Sequence, residues 1–187
     1  MHLLSDEQAM KWCAEQGLRR TGDLPASRID FPGGAGHRLR VLVAGSATEV
    51  IGLCYALMMT AVPDDEEEKF RGGLVWLQDW DIWSATTERV GHLLLTAVRG
   101  PTPEAANVRA RPANLFEPEE FVQAHTILSL ALLFQWDAHY VPLVGGFYAF
   151  LSHHGHIEVV TPHRKAHDSL LARFERGGYS PAPVGHV

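Results

Sequence analysis

Cysteine is scarce in this chain of 187 residues: Cys13 and Cys54 are the only two. Two thiols without a C-x-x-C spacing exclude a disulfide framework and the common zinc and redox motifs, and both are expected as buried side chains. Long apolar runs are lacking too. The best, Val50 to Val62, is interrupted and falls short of the roughly 20 residues that span a bilayer. Met1 to Glu7 has neither the basic nor the apolar region of a secretory leader. The expectation is a cytoplasmic protein with no membrane contact. Positive charge is also short, with 16 Lys and Arg against 22 Asp and Glu for a formal net charge of −6. Phosphate backbones are held by basic surfaces, so the balance argues against nucleic acid and favours a protein partner with a basic surface.

Signatures of nucleophilic and phosphate chemistry are missing as well. No G-x-S-x-G elbow occurs, nothing pairs Ser152 with a base, and Cys54 falls in an apolar helix pattern where a thiolate is disfavoured. Gly33-Gly34-Ala35-Gly36 precedes a strand instead of following one, the wrong order for a dinucleotide or phosphate loop.

What is present describes an ordinary globular chain, with 46% hydrophobic and 20% charged residues. One domain is expected over 1–187, with a helix and an irregular segment in 1–36 and a Pro/Gly-rich tail over 177–187. Ser5 with Gln8, and Ser46 with Glu49, are capping boxes opening helices over about 5–16 and 46–60. The second is apolar nearly all round and is expected to be central. His37 to Ala44 and Leu74 to Leu77 read as strands. Ser84 caps a helix to about Val98, in which Val90, Leu93, Leu94 and Ala97 recur at helical spacing. Pro118 opens another to about Phe134. Tyr140 to Val144, Phe147 to Ser152 and Ile157 to Val160, separated by Gly145-Gly146 and His154-Gly155, predict a three-stranded antiparallel meander. Thr161-Pro162 and Gly177-Gly178 bracket a last helix. The pattern predicts an α+β fold: one mixed sheet of about five strands, the meander included, covered by about five helices.

Two constellations stand out. Trp76-Leu77-Gln78-Asp79-Trp80-Asp81-Ile82-Trp83 holds three of the five tryptophans and two acids at a strand-to-helix junction. Tryptophan combines a large apolar area with one N–H donor. Trp76, Asp79, Trp80, Asp81 and Trp83 are therefore candidates for a partner-binding surface, or for closing a corner of the core. The same pairing recurs at Trp136-Asp137. If the rings of Trp76, Trp80 and Trp136 converge, they would line a small-molecule pocket.

Histidine is abundant, with 11 in all. A two-residue turn at His154-Gly155 would set His153 opposite His156, with Glu158 two residues on along the same strand face. His163 and His167 lie four apart on the last helix. Together these form a candidate site for zinc or another divalent transition metal. The leading reading is a non-catalytic protein-binding protein, an adaptor, accessory subunit or immunity-type protein with an acidic and aromatic surface and no cofactor. The alternative is a metal-dependent hydrolase built on the histidines and Glu158.

Overall fold

The computed structural model of the chain describes residues 1–21, 28–32, 36–43, 45–59, 69–78 and 85–183. Along them run β1 (His2–Leu4), α1 (Asp6–Glu15), β2 (Arg19–Thr21), β3 (Arg28–Asp30), β4 (His37–Leu42), α2 (Ala47–Met58), β5 (Gly73–Leu77) and α3 (Ala85–Arg99). There follow α4 (Pro103–Ala106), β6 (Ala113–Phe116), α5 (Phe121–Leu133), β7 (Ala138–Pro142), β8 (Tyr148–Ser152), β9 (His156–Thr161), α6 (Arg164–Arg176) and β10 (Ala182–Pro183). The fold is α+β. Eight strands make one sheet in the order β1-β6-β5-β7-β8-β9-β4-β10, and β2 pairs with β3 in a separate ribbon. The predicted meander is β7-β8-β9, in the middle of the sheet.

The sheet is larger than the five strands legible in the pattern, and every pairing in it is antiparallel. Its additional strands are short. The edge strands β1 and β10 have three and two residues, too few to show a period. In β6, Asn114 interrupts the apolar run, yet it is fully buried because its amide serves the protein interior. Its Oδ1 accepts from Arg99 Nε at 2.8 Å, and its Nδ2 donates to the Val75 carbonyl at 3.2 Å.

Strand side chains alternate between two faces, and each face has its own core. On one, Leu39, Val41, Val75, Leu77, Tyr140, Leu151, Ile157 and Val159 pack under the helices. There α5 lies over β5 to β8, with α2 and α3 packed on it and α6 over β4 and β9. The other face carries Leu74, Trp76, Val141, Tyr148 and Val160, which pack with Ala9 and Cys13 of α1 and Ile29 of β3. The central strand β5 is buried along its whole length, which explains its unbroken apolar sequence.

Local chemistry sets the helix ends. Both predicted capping boxes form, with Ser5 and Ser46 accepting from the third residue of their helices while Gln8 and Glu49 reach back. Helix α5 is preceded by a 3-10 turn at Pro118–Glu120. It ends in a Schellman-type turn: Gln135 adopts φ 53°, and the amides of Gln135 and Trp136 donate to the carbonyls of Leu132 and Ala131. That turn drops Trp136, wholly buried, onto the ring of Phe134 and against Gly91 of α3.

Candidate functional site

The helical layer turns several large apolar side chains outward. Helix α2, expected to be central, buries Val50, Leu53, Cys54, Leu57 and Met58 but turns Ile51 and Tyr55, one helical turn apart, outward. In α3 the stripe Val90, Leu93, Leu94 and Ala97 also faces out, while Gly91, Leu95 and Arg99 face in. A periodic stripe identifies a helix; it does not say which stripe the core takes when both are apolar. Of the ten large apolar side chains exposed among the described residues, seven lie on α2, α3 and α5: Ile51, Tyr55, Val90, Leu93, Leu94, Val122 and Leu133. Leu93 is 63% and Val122 70% exposed, values ordinary for lysine and high for aliphatic residues on packed helices.

Aromatic rings order one end of this face. Tyr55 meets Phe121 edge-on at 5.9 Å and His125 at 6.4 Å, and Phe121 stacks on His125 at 5.4 Å. Phe70 closes the set against Phe121 at 5.7 Å. His125 Nε2 lies 3.0 Å from the Ile51 carbonyl, so that ring nitrogen donates and α2 and α5 are tied antiparallel across the cluster. Exposed Glu117 and Glu119 precede α5, and exposed Glu49 opens α2, while Arg89 of α3 and Lys69 are exposed cations in the same region of the chain. The result is an apolar and aromatic surface with acids at the starts of its helices.

The residues singled out in the sequence are dispersed. Trp76 is buried at 4% exposure and donates its indole N–H to Asp6 Oδ1 at 2.8 Å, so it is part of a wall and not an exposed anchor. Asp79, Trp80, Asp81 and Trp83 lie outside the described residues, as does the acidic run Asp64 to Glu68. Trp76 and Trp136 belong to the cores on opposite faces of the sheet, so their rings do not line one pocket.

The β8–β9 turn differs from the two-residue form expected. Ser152 pairs with His156, leaving His153, His154 and Gly155 as a three-residue turn with Gly155 at φ 75°. The extra residue takes His153 out of the strand ladder, so it does not oppose His156. Instead buried Asp137 accepts through Oδ1 from both the backbone N–H of His153, at 2.6 Å, and its ring Nδ1, at 2.8 Å. This fixes the Nδ1–H tautomer and explains the second Trp-Asp pair as a corner: Trp136 fills the core while Asp137 holds the turn.

His156 and Glu158 do share a face, yet the Glu158 carboxylate is already engaged. Arg38 Nη1 donates to its Oε1 at 2.7 Å, and Arg40 Nη2 lies 3.7 Å from its Oε2. Arg38 also pairs with Asp30. His163 caps α6 beside Gly146, and His167 Nδ1 lies 2.9 Å from Asp168, its ring 5.4 Å from that of His37. Among the described residues, no group of three or more His, Cys, Asp or Glu is placed to hold a metal ion.

Comparison with known proteins adds no assignment. No protein-family model, curated protein or solved structure matches the chain. Among the described residues no helix is long and apolar enough to cross a membrane.

The aromatic cluster of Tyr55, Phe121 and His125 was missed because its members come from two helices whose packing is not written in either. One signal was available. Both helices are apolar nearly all round, which a helix can be only when covered on every side.

Proposed function

We propose that the chain is a protein-binding protein of the cytoplasm, an adaptor, accessory or immunity-type subunit, that receives its partner on the outer face of α2, α5 and α3. The observation carrying this reading is that Val90, Leu93 and Leu94 of α3, Ile51 and Tyr55 of α2 and Val122 of α5 all turn outward. Leaving so many aliphatic groups in water forgoes roughly 1.5–3 kcal/mol for each side chain that burial would recover, and a partner supplies that burial. Tyr55 is the expected anchor, since aromatic residues in a well-packed setting dominate interface energies. The acids at Glu49, Glu117 and Glu119, with the net charge of −6, match a partner segment whose apolar residues are flanked by Lys or Arg.

The test is affinity capture from the source cells, followed by calorimetry with the captured protein after purification. Tyr55→Ala and Leu93→Glu should each weaken binding at least about tenfold with the near-ultraviolet dichroism unchanged, the scale expected of interface hot spots. Arg40→Glu, on the opposite face of the sheet, should leave affinity unchanged. A partner indifferent to both helical substitutions defeats the proposal. A stable homodimer dispersed by Leu93→Glu would reassign the face to self-association.

A further inference from the structure

The start of α6 carries a pair of imidazoles that neither the helical face nor the ion pairs of the sheet account for. His37 opens β4 and His167 lies near the start of α6, and their rings stand 5.4 Å apart between centroids with a 52° tilt. Both residues are partly buried, the His167 side chain at 16% exposure. The spacing of His163 and His167 suggested a site along the helix, but His163 is exposed and sits against Gly146. The partner of His167 comes from the sheet instead.

The backbone around the pair is tied down. Thr161 donates through Oγ1 to the Gly146 carbonyl at 2.8 Å and accepts the His163 amide at 3.2 Å, while the His167 amide donates to the His163 carbonyl at 3.0 Å. His37 lies opposite Thr161 in the β4–β9 ladder, so one strand end sets both rings. The His167 ring is oriented as well. Its Nδ1 lies 2.9 Å from Asp168 Oδ1, and Arg164 Nε donates to both oxygens of that carboxylate at 3.1 and 3.2 Å. Nδ1 therefore carries the proton and Nε2 a free lone pair, as in metal-binding histidines whose other nitrogen donates to a carboxylate. Neither His167 Nε2 nor a ring nitrogen of His37 makes a hydrogen bond among the described residues.

The separation of the rings selects an ion. A metal about 2.0 Å from an imidazole nitrogen lies about 3.2 Å from the ring centre. Two such rings stand about 5.2 Å apart at a tetrahedral angle, against about 4.5 Å for neighbours in a square-planar or octahedral set. The 5.4 Å found matches the tetrahedral case. Imidazole donors suit zinc, whereas magnesium and calcium take oxygen. No third His, Cys, Asp or Glu joins the pair among the described residues, which leaves the remaining positions to water.

We propose that His37 and His167 bind a zinc ion between β4 and α6, with Asp168 as the positioning residue that orients the His167 ring. The site is independent of the outer face of α2, α5 and α3, so either can be correct without the other. A zinc ion bridging helix and sheet binds the folded chain alone, so the thermal midpoint should rise with zinc concentration.

The experiment titrates the full chain, free of any histidine tag, with Zn2+ by calorimetry at pH 7.5, with Mg2+ as the control. One zinc should bind saturably and Mg2+ should not. His37→Gln and His167→Gln should each weaken zinc at least about tenfold, and Asp168→Asn about tenfold through loss of the ring's orientation. His153→Gln/His154→Gln, which removes the exposed turn histidines, should leave affinity unchanged. Long-range proton–nitrogen NMR on the unaltered chain needs no variant: zinc should shift the His167 Nε2 and one His37 nitrogen while His167 Nδ1 stays protonated. Several weak equivalents lost equally in the His153/His154 variant would show an adventitious ion only and overturn the site. So would an unchanged affinity in His37→Gln, or zinc shifts confined to other histidines.

Discussion

Arg38 should be the costliest single charge to remove on the α1 side of the sheet. It stands on β4 opposite Val160, and its guanidinium reaches diagonally to Glu158 on β9 and across to Asp30 on β3. It thus ties the β2–β3 ribbon to the main sheet. Burial opposes its charge, but the hydrogen bonds with Glu158 and Asp30 more than offset this and hold its pKa above the usual arginine value. Tyr148, packed beside it, has its phenol pushed up by burial and by the Asp30 charge.

Replacing Arg38 by Met keeps the stem packed and removes the charge, leaving Glu158, 7% exposed at its side chain, with only Arg40 at 3.7 Å. Breaking a buried pair in this way costs about 3–5 kcal/mol. Arg38 is itself 26% exposed and Arg40 stays in place, so we expect about 2–3 kcal/mol. With a urea m-value of about 2–3 kcal/mol per molar, the unfolding midpoint should fall by about 1 M. A double-mutant cycle with Glu158→Gln should return a coupling of about 1.5 kcal/mol or more. Arg40→Met, at a partly exposed and longer contact, should cost under about 1 kcal/mol. An Arg38→Met loss below about 0.5 kcal/mol, or a cycle showing no coupling, refutes the view that this ion pair locks the ribbon to the sheet.

Other substitutions probe the helical side. Gly91→Ala would ordinarily stabilise a helix by about 1 kcal/mol, but a β-carbon there falls 2.5 Å from Trp136 Cζ2 and 3.0 Å from its Cη2. Because Trp136 is wholly buried, thermal unfolding should show a net loss of about 1–2 kcal/mol, and a gain would disprove the tight seat. Arg99 is buried, its Nη1 and Nη2 have no hydrogen-bond partner among the described residues, and burial lowers its pKa to about 10. Its charged form is therefore disfavoured by folding below that pH, and stability from this group should rise only from about pH 10 toward its ordinary value, where the unfolded chain binds the extra proton. Asn114→Leu strips its hydrogen bond from the guanidinium and should cost about 3 kcal/mol, whereas Arg99→Met should fall within about 1–2 kcal/mol of neutral; the reverse order in urea unfolding contradicts this account. Cys13 and Cys54 are buried, with burial raising both thiols to about 12, so Ellman's reagent at pH 8 should label neither until denaturant exposes both. Rapid labelling of the folded chain would contradict that burial.

Much of the fold was legible because local rules and the final structure agree. Ser5 with Gln8 and Ser46 with Glu49 start helices where their spacing says they should, and the glycine turns delimit the central meander. Short elements escaped: β1, β6 and β10 have too few residues for a period, and Asn114 disguised a buried strand as connector. The site was less legible. Val90, Leu93 and Leu94 were correctly read as a stripe, but their outward direction depends on Gly91 seating against Trp136, a contact between residues far apart in sequence. Trp76 attracted notice for its composition, whereas its position against Asp6 depends on α1 packing over β5. The histidine constellation dissolved through a single added turn residue, because His153 left the ladder and turned to Asp137.

The central claim is that the outer face of α2, α5 and α3 meets another protein. Its most direct measurement places a photo-crosslinking amino acid, in living source cells, at Val122 and Leu93, and at Leu42 as an equally open apolar control elsewhere, 71% exposed. The account predicts one dominant crosslinked protein from Val122 and Leu93, absent from Leu42 and abolished by Tyr55→Glu. Crosslinks equal at all three positions, or none at the two helical ones, would contradict it.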